Sequence, residues 1–228
     1  MSRRERIREG TREEIKGLAR QQMAASGTAA VSLGAIARAM ELVPSALYRY
    51  YASRDDLITA LIIDAYEALA EALNEAAAAQ PAEKYGARLL AASLAYRAWA
   101  VAQPVDFLLI FGNPIPGYVA PFEQTIPAAV QVFSAFLNIM QEAYAAGKLD
   151  PPAAHRLAVA SIDPECTTAK WHPGIDPLVN YSGIACWSKL HGMVMLELTG
   201  YLAPSLDTAT FYHSECLQLL TGIGLDSS

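Results

Sequence analysis

The stretch Ser32-Leu-Gly-Ala-Ile-Ala-Arg-Ala-Met-Glu-Leu-Val-Pro-Ser-Ala-Leu-Tyr-Arg-Tyr-Tyr-Ala-Ser-Arg-Asp-Asp-Leu57 decides the fold. Leu33, Ile36, Ala37 and Met40 recur at helical spacing and make one apolar face. Pro44 sets the first-turn backbone angle of a second short helix, in which Leu47, Tyr48 and Tyr51 again repeat helically. Ser53 with Asp56 then opens a further helix, and Asp55 and Asp56 suit the positive end of its dipole. Two short helices across a tight turn form a helix-turn-helix, the unit that lays its second helix in the major groove of DNA. The outer surface of that helix suits the task, because Ser45, Arg49 and Tyr50 can hydrogen-bond to phosphates or base edges. The same residues would read as a solvated helix face if nothing bound there.

Upstream, Thr11 with Glu14 reads as a capping box, and Ile15, Leu18, Ala19 and Met23 give the stripe of a first helix that Gly27 can end. Before it, Arg3, Arg4, Arg6 and Arg8 alternate with Glu5 and Glu9 in an arm that either reaches DNA or serves as a solubilising tail. Charge bears on the head as a whole. The chain carries a net −6, yet residues 1–54 hold ten Lys/Arg against five Glu, leaving seven basic and eighteen acidic residues for 55–228. A basic head on an acidic body is what a DNA reader with a separate sensing domain shows, since only the head meets phosphate.

Downstream, Leu57, Leu61, Ala65, Leu69 and Leu73 stripe a long helix that runs to Gln80-Pro81 and links head to body. Further helices are predicted over 84–103, 104–111, about 122–146, 153–162, 178–201 and 207–222, with an irregular Gly112–Tyr118 and a loop around Asp163, Glu165 and Trp171–Pro177. At 228 residues and 53% hydrophobic, the chain can bury a substantial core. The most apolar segment, Val101 to Val119, is interrupted by Pro104, Asp106, Pro114 and Pro116, so no membrane span and no membrane partner are expected. The N-terminal stretch has no apolar signal core, and a cytoplasmic location is the expectation. Cys166, Cys186 and Cys216 lack disulfide or zinc spacing and read as buried reduced thiols; His155, His172, His191 and His213 are equally scattered, so neither metal nor cofactor is expected.

The run Ile36-Ala37-Arg38 with Leu47-Tyr48-Arg49-Tyr50-Tyr51-Ala52-Ser53-Arg54-Asp55-Asp56-Leu57 resembles the DNA-binding segment of TetR-family transcriptional regulators. Trp187-Ser-Lys-Leu-His191-Gly192 resembles the Trp-His-Gly signature of one class of their C-terminal domains. The resemblance implies that Pro44, Ser45, Ala46 and Arg49 face base edges, while Ser32, Tyr48, Tyr50 and Arg54 hold phosphates. Two residues depart from the pattern. Glu41 stands where the family has glycine in the turn, at about 1 kcal/mol if it takes positive φ, and Val43 stands where a Ser or Thr caps the recognition helix.

The resemblance also implies that the last two helices build a four-helix dimer bundle. In 178–201 a bulky stripe (Ile184, Trp187, His191, Val194, Leu198) suits the helix's own core, and a smaller one (Tyr181, Ala185, Ser188, Gly192, Met195) suits a second copy of the chain. The aromatics Trp99, Phe107, Phe111, Tyr118, Phe122 and Phe133, with Met140, Trp187 and His191, either line a cavity for a small apolar ligand or fill a packed core. Tyr96, Asn138 and Gln141 are polar groups that could orient such a ligand.

The expected architecture is all-α: a helix-turn-helix DNA-binding head over residues 1–54, a linker helix to about residue 80, and a larger ligand-binding and dimerisation body over 81–228. The expected function is a ligand-responsive repressor that binds a palindromic double-stranded operator as a homodimer. An architectural DNA-binding protein without ligand is the alternative. A small-molecule enzyme is disfavoured, because no nucleophile triad, phosphate loop or carboxylate pair stands out.

Overall fold

Ser2 Oγ accepts from the Glu5 backbone N–H at 3.2 Å and the Ser2 N–H donates to Glu5 Oε2 at 2.6 Å, a capping box that starts α1 (Arg3–Ser26). In this computed structural model, which describes residues 2–161 and 172–226, the first helix therefore begins well before the Thr11–Glu14 box. Thr11 sits inside it and donates to the Ile7 carbonyl at 3.0 Å. The arginine arm is thus helix rather than a free tail. Cys166, the Asp163/Glu165 pair and Trp171 lie outside the described residues.

Among the described residues every regular element is helical. After α1 and a single 3-10 turn come α2 (Leu33–Ala39), α3 (Pro44–Leu47) and α4 (Arg54–Ala78), then α5 (Tyr85–Ala102) and α6 (Pro104–Phe111). They are followed by α7 (Phe122–Ala145), α8 (Ala153–Ala160), α9 (Pro177–Leu198) and α10 (Thr208–Gly222). No single described helix is long and apolar enough to cross a membrane.

The chain packs as two units. The first comprises Met1–Tyr66 and Gln103–Pro127. Its core joins Ile15 and Ala19 of α1, Ile36 of α2, Leu47 of α3 and Leu57, Ile58 and Leu61 of α4 to Leu109 and Ile115. Each of the Leu and Ile side chains among them contributes about 1.5–3 kcal/mol by leaving water. Sequence reading put residues 103–127 with the body. An ion pair explains why they pack with the head: Arg20 Nε of α1 donates to both oxygens of Asp106 on α6 at 2.9 Å, and Asp106 is only 7% exposed. A buried carboxylate needs such a partner. Alongside, Lys16 of α1 meets Asp64 of α4 at 2.6 Å. Burial pushes the Lys16 ammonium down, but Asp64 and Glu13 more than offset this and hold it above its ordinary value.

The second unit comprises Glu67–Ala102 and Ala128–Ser228. Tyr96 of α5, Val132 and Met140 of α7, Val179, Leu190 and Val194 of α9, and Tyr212 and Leu220 of α10 form its interior. Gly183 lets α9 approach α7 closely, because a Cβ there would overlap the Leu137 side chain. Ser182, fully buried beside it, bonds His155 Nδ1 of α8 at 2.9 Å. These two contacts set the rotation of α9 and correct the expected stripes: the inward face is Leu178, Val179, Ser182, Gly183, Leu190 and Val194, while Ile184 is 41% exposed.

Candidate nucleic-acid interface

Ser32 Oγ caps α2 by accepting from the Ala35 N–H at 3.4 Å, and the Ser32 N–H is held by Gln22 Oε1 at 2.8 Å. At the other end the Glu41 N–H donates to the Arg38 carbonyl at 3.1 Å and the Leu42 N–H to the Ala37 carbonyl at 2.8 Å. That hydrogen-bond pair requires a left-handed residue between them. Glu41 supplies it at φ 55°, the single non-glycine residue at positive φ among those described, so the cost anticipated for this position is incurred. Val43 then begins α3 without a side-chain cap, and Pro44 takes the first helical position. α3 is short. Beyond Leu47 the chain continues in tight turns, the Tyr50 and Tyr51 N–H groups both donating to the Leu47 carbonyl, at 2.8 and 3.1 Å.

Leu47 and Tyr51 anchor this segment from inside, at 0% and 4% exposure. Pro44, Ser45, Tyr48 and Arg49 stand on the outer side, exposed, with Tyr50 half-buried and Ser32 exposed at the start of α2. Two expected contacts lie elsewhere. Ala46, expected at base edges, is buried on the inner side next to Leu47. Arg54, expected on phosphate, is half-buried, with Nε on the Val31 carbonyl at 3.0 Å, Nη2 on the Ala29 carbonyl at 3.1 Å and Nη1 3.5 Å from Asp55. It braces the segment before α2 against the start of α4.

The nine aromatic and neighbouring residues expected around a ligand divide between the units. Phe107, Phe111, Tyr118 and Phe122 belong to the first. There Phe107 is fully buried, its ring 5.1 Å from that of Phe111, which meets Tyr66 edge-on at 5.9 Å, and Tyr118 Oη bonds Thr59 Oγ1 at 2.9 Å. Phe122 is 54% exposed. Trp99, Phe133, Met140, Trp187 and His191 belong to the second unit. His191 stacks on Trp187 at 4.7 Å and its Nδ1 bonds Tyr96 Oη at 2.9 Å, while Phe133 tilts against Trp187 at 4.8 Å. Burial lowers the His191 pKa, so the ring is neutral at pH 7. Asn138 is exposed, and Gln141 Oε1 accepts from the Asp176 N–H at 2.8 Å.

A cavity of about 20 Å³ lies inside the second unit, walled by Phe136, Met140, Cys186, Trp187, Leu190 and Cys216 among others. That is room for about one water molecule. Cys186, Leu219 and Ile223 also line a wider surface groove beside His155, Lys189 and Glu215, so they form the wall between the two spaces. Of the expected ligand residues only Met140 and Trp187 touch this cavity. Phe136 and the two cysteines were missed, although Phe136 lies one turn before Met140 on the same helix face. Among the described residues no three His, Cys, Asp or Glu side chains gather as a metal site.

A helix-turn-helix with an exposed Ser/Arg surface at the basic end of an all-helical chain defines a DNA-binding transcriptional regulator. Residues 17–61 match the family described as bacterial regulatory proteins, tetR family, and residues 89–219 match the tetracyclin repressor-like C-terminal domain. The HTH-type transcriptional regulator Rv1816 of Mycobacterium tuberculosis (strain ATCC 25618 / H37Rv) is 34% identical over 194 residues, covering 85% of this chain and 82% of its own. A crystal structure described as that of a regulatory protein, SCO4313, superposes with a TM-score of 0.78 at 36% identity, covering 96% of this chain and 100% of its own. RolR, solved with resorcinol, shares the fold at a TM-score of 0.55 and 14% identity, covering 97% and 91% of the two chains. The chain belongs to the TetR family. It is a helix-turn-helix transcriptional regulator and not an enzyme.

Proposed function

We propose that this regulator is a repressor that reads a palindromic operator as a homodimer and is released from it by a small apolar molecule in the cytoplasm. The observation that carries DNA reading is the exposed pair Ser45, on α3, and Arg49, in the turns that follow it, held out by buried Leu47 and Tyr51. Arg49 supplies a guanidinium suited to guanine, worth ~1–3 kcal/mol of base discrimination. Pro44 and Ser45 flank it, and Ser32, Tyr48 and Tyr50 hold the backbone. Arg54 supports this surface by bracing the segment before α2. Residues 1–54 are the reading domain, with 103–127 packed into the same unit, and the rest of 81–228 is the sensing and dimerisation domain, of the class that the Trp187, His191 and Gly192 signature names.

Tyr181, Ala185, Ser188, Gly192 and Met195 form the face offered to a second copy. Nothing lies within 4 Å of the space a Cβ on Gly192 would take, which leaves that face open to close approach. Two heads joined this way read half-sites one or more helical turns apart. The ligand enters the cavity beside Met140 and Trp187 by displacing the wall of Cys186, Leu219 and Ile223, and RolR with resorcinol is a precedent for a small molecule on this fold. It acts by binding more tightly to the dimer whose head spacing no longer fits DNA.

Gel shifts with the DNA upstream of the regulator's own coding sequence test this reading. Arg49→Ala should weaken binding and relax preference at one base position; unchanged preference overturns the assignment to Arg49. Light scattering should find a dimer for the native chain and a monomer for Gly192→Arg. A monomeric native chain at micromolar concentration overturns the dimer, and a compound that releases DNA without raising Tm overturns the ligand site.

A further inference from the structure

The family match at the N-terminal end begins at residue 17, whereas α1 is helical from Arg3. Arg4, Arg8 and Arg12 follow each other at four-residue steps, which sets them on one helix face about 6 Å apart. Arg12 fastens that face to the end of the reading segment: its Nη2 donates to the Tyr50 carbonyl at 3.4 Å and its guanidinium lies 5.3 Å from the centre of the Tyr51 ring. One and two turns upstream, Arg8 and Arg4 line a single groove with Arg49 and Tyr50, completed by Ser2, Glu5 and Ile7. The Glu5 carboxylate is engaged by the Ser2 N–H at 2.6 Å. Arg4, Arg8 and Arg49 are exposed, and among the described residues none of the three is in an ion pair.

Three like charges converging on one groove repel each other and call for a polyanion. The polyanion assigned to Arg49 under the proposed function is DNA. We propose that Arg4 and Arg8 are a second DNA contact, gripping backbone phosphates that flank the base pairs read by Arg49. The partner is phosphate rather than the minor groove, because an α-helix is about 10–12 Å across and the groove about 6 Å wide. Being helical, α1 fixes the backbone from which both arginines project before DNA arrives, so only side-chain ordering is lost on contact. The proposal rests on DNA reading by α3 and extends it.

The test is the double variant Arg4→Gln/Arg8→Gln, whose helix content is checked by circular dichroism. Glutamine has nearly the same helix propensity as arginine, so α1 should persist. On a 40-base-pair duplex the variant should bind about tenfold more weakly to operator and scrambled DNA alike. Its log–log salt slope should fall by about 1.8 per head, from about 0.9 per phosphate, with base preference unchanged. On a duplex trimmed to the recognised base pairs, variant and native protein should bind alike. Arg4→Lys/Arg8→Lys should recover most of the loss, since lysine grips phosphate as a point charge. Native affinity and slope for the glutamine variant on the long duplex overturn the proposal, as does a change of base preference. If the glutamine variant is unaffected while Arg49→Ala is impaired, only this inference fails. If Arg49→Ala is also without effect, the reading by α3 fails with it.

Discussion

The end of α2 in the head and the ends of α7 and α9 in the body close with the same pair of backbone hydrogen bonds, yet with different residues. In the body the left-handed position is Gly147, at φ 65°, or Gly200, at φ 74°; in the head it is Glu41, at φ 55°. The flanking bonds match: Lys148 N–H to the Ala143 carbonyl at 2.8 Å, Tyr201 N–H to Leu196 at 2.9 Å and Leu42 N–H to Ala37 at 2.8 Å. The geometry is therefore conserved between the regions while the strain is not. Where a helix end serves packing alone, the residue is the one that adopts it freely. Where the helix end leads into the DNA-reading segment, the chain tolerates a strained side chain at that position.

The largest expected effect tests the packing half of this contrast. Gly183→Val should lower stability by ~1–3 kcal/mol, read as a drop in the urea midpoint, because the new side chain overlaps Leu137. Gly147→Glu installs in the body what the head carries. With nothing within 4 Å of its Cβ the cost is purely conformational, ~1 kcal/mol, and a neutral result would break the comparison. Glu41→Gly runs the exchange in reverse. It should raise stability by ~0.5–1 kcal/mol in thermal melts and tighten binding to all DNA sequences by removing a negative charge; weaker binding would show that Glu41 makes a needed contact.

The smallest effect concerns an ion pair that the head's turn lacks. Arg97 Nε donates to Glu197 Oε2 at 2.7 Å near the end of α9, and this bond, foremost, holds the Glu197 pKa below its ordinary 4.5. A depressed carboxylate stabilises the fold above its unfolded pKa, so that contribution should fade as pH drops from about 4.5 through the lower folded value. Glu197→Gln should flatten the stability profile in that acid range, and an unchanged profile would deny the pair a role.

Helix positions were legible in the sequence wherever a cap or breaker stood alone. Pro44 and Pro104 sit at helix starts, as do Ser53 and Asp207, and Gly27 and Gly147 follow helix ends. The start of α1 was misplaced because Ser2-x-x-Glu5 and Thr11-x-x-Glu14 spell the same box, and the outer one prevails when no breaker separates them. Residues 103–127 looked like body because they are apolar, which tells nothing of the partner; the Arg20–Asp106 pair spans 86 positions and leaves no local trace. In the candidate site, Leu47, Tyr51 and the Ser45/Arg49 surface followed from helical spacing. Ala46 and Arg54 were placed by the family resemblance instead, and within α3 Ala46 shares the buried side of its neighbour Leu47. Arg54 is also drawn to carbonyls at Ala29 and Val31, which are near in space and distant in sequence.

The cavity wall has a chemical consequence of its own. Burial pushes the Cys186 thiol up to about 11 and the Cys216 thiol to about 12. At pH 7 roughly one Cys186 in ten thousand, and still fewer Cys216, is then the thiolate that attacks electrophiles or reduces peroxide. So small a thiolate fraction makes these two sulfurs poor nucleophiles at neutral pH. They line the cavity as soft, polarisable surface, and a molecule entering under the proposed function would meet them through shape and dispersion.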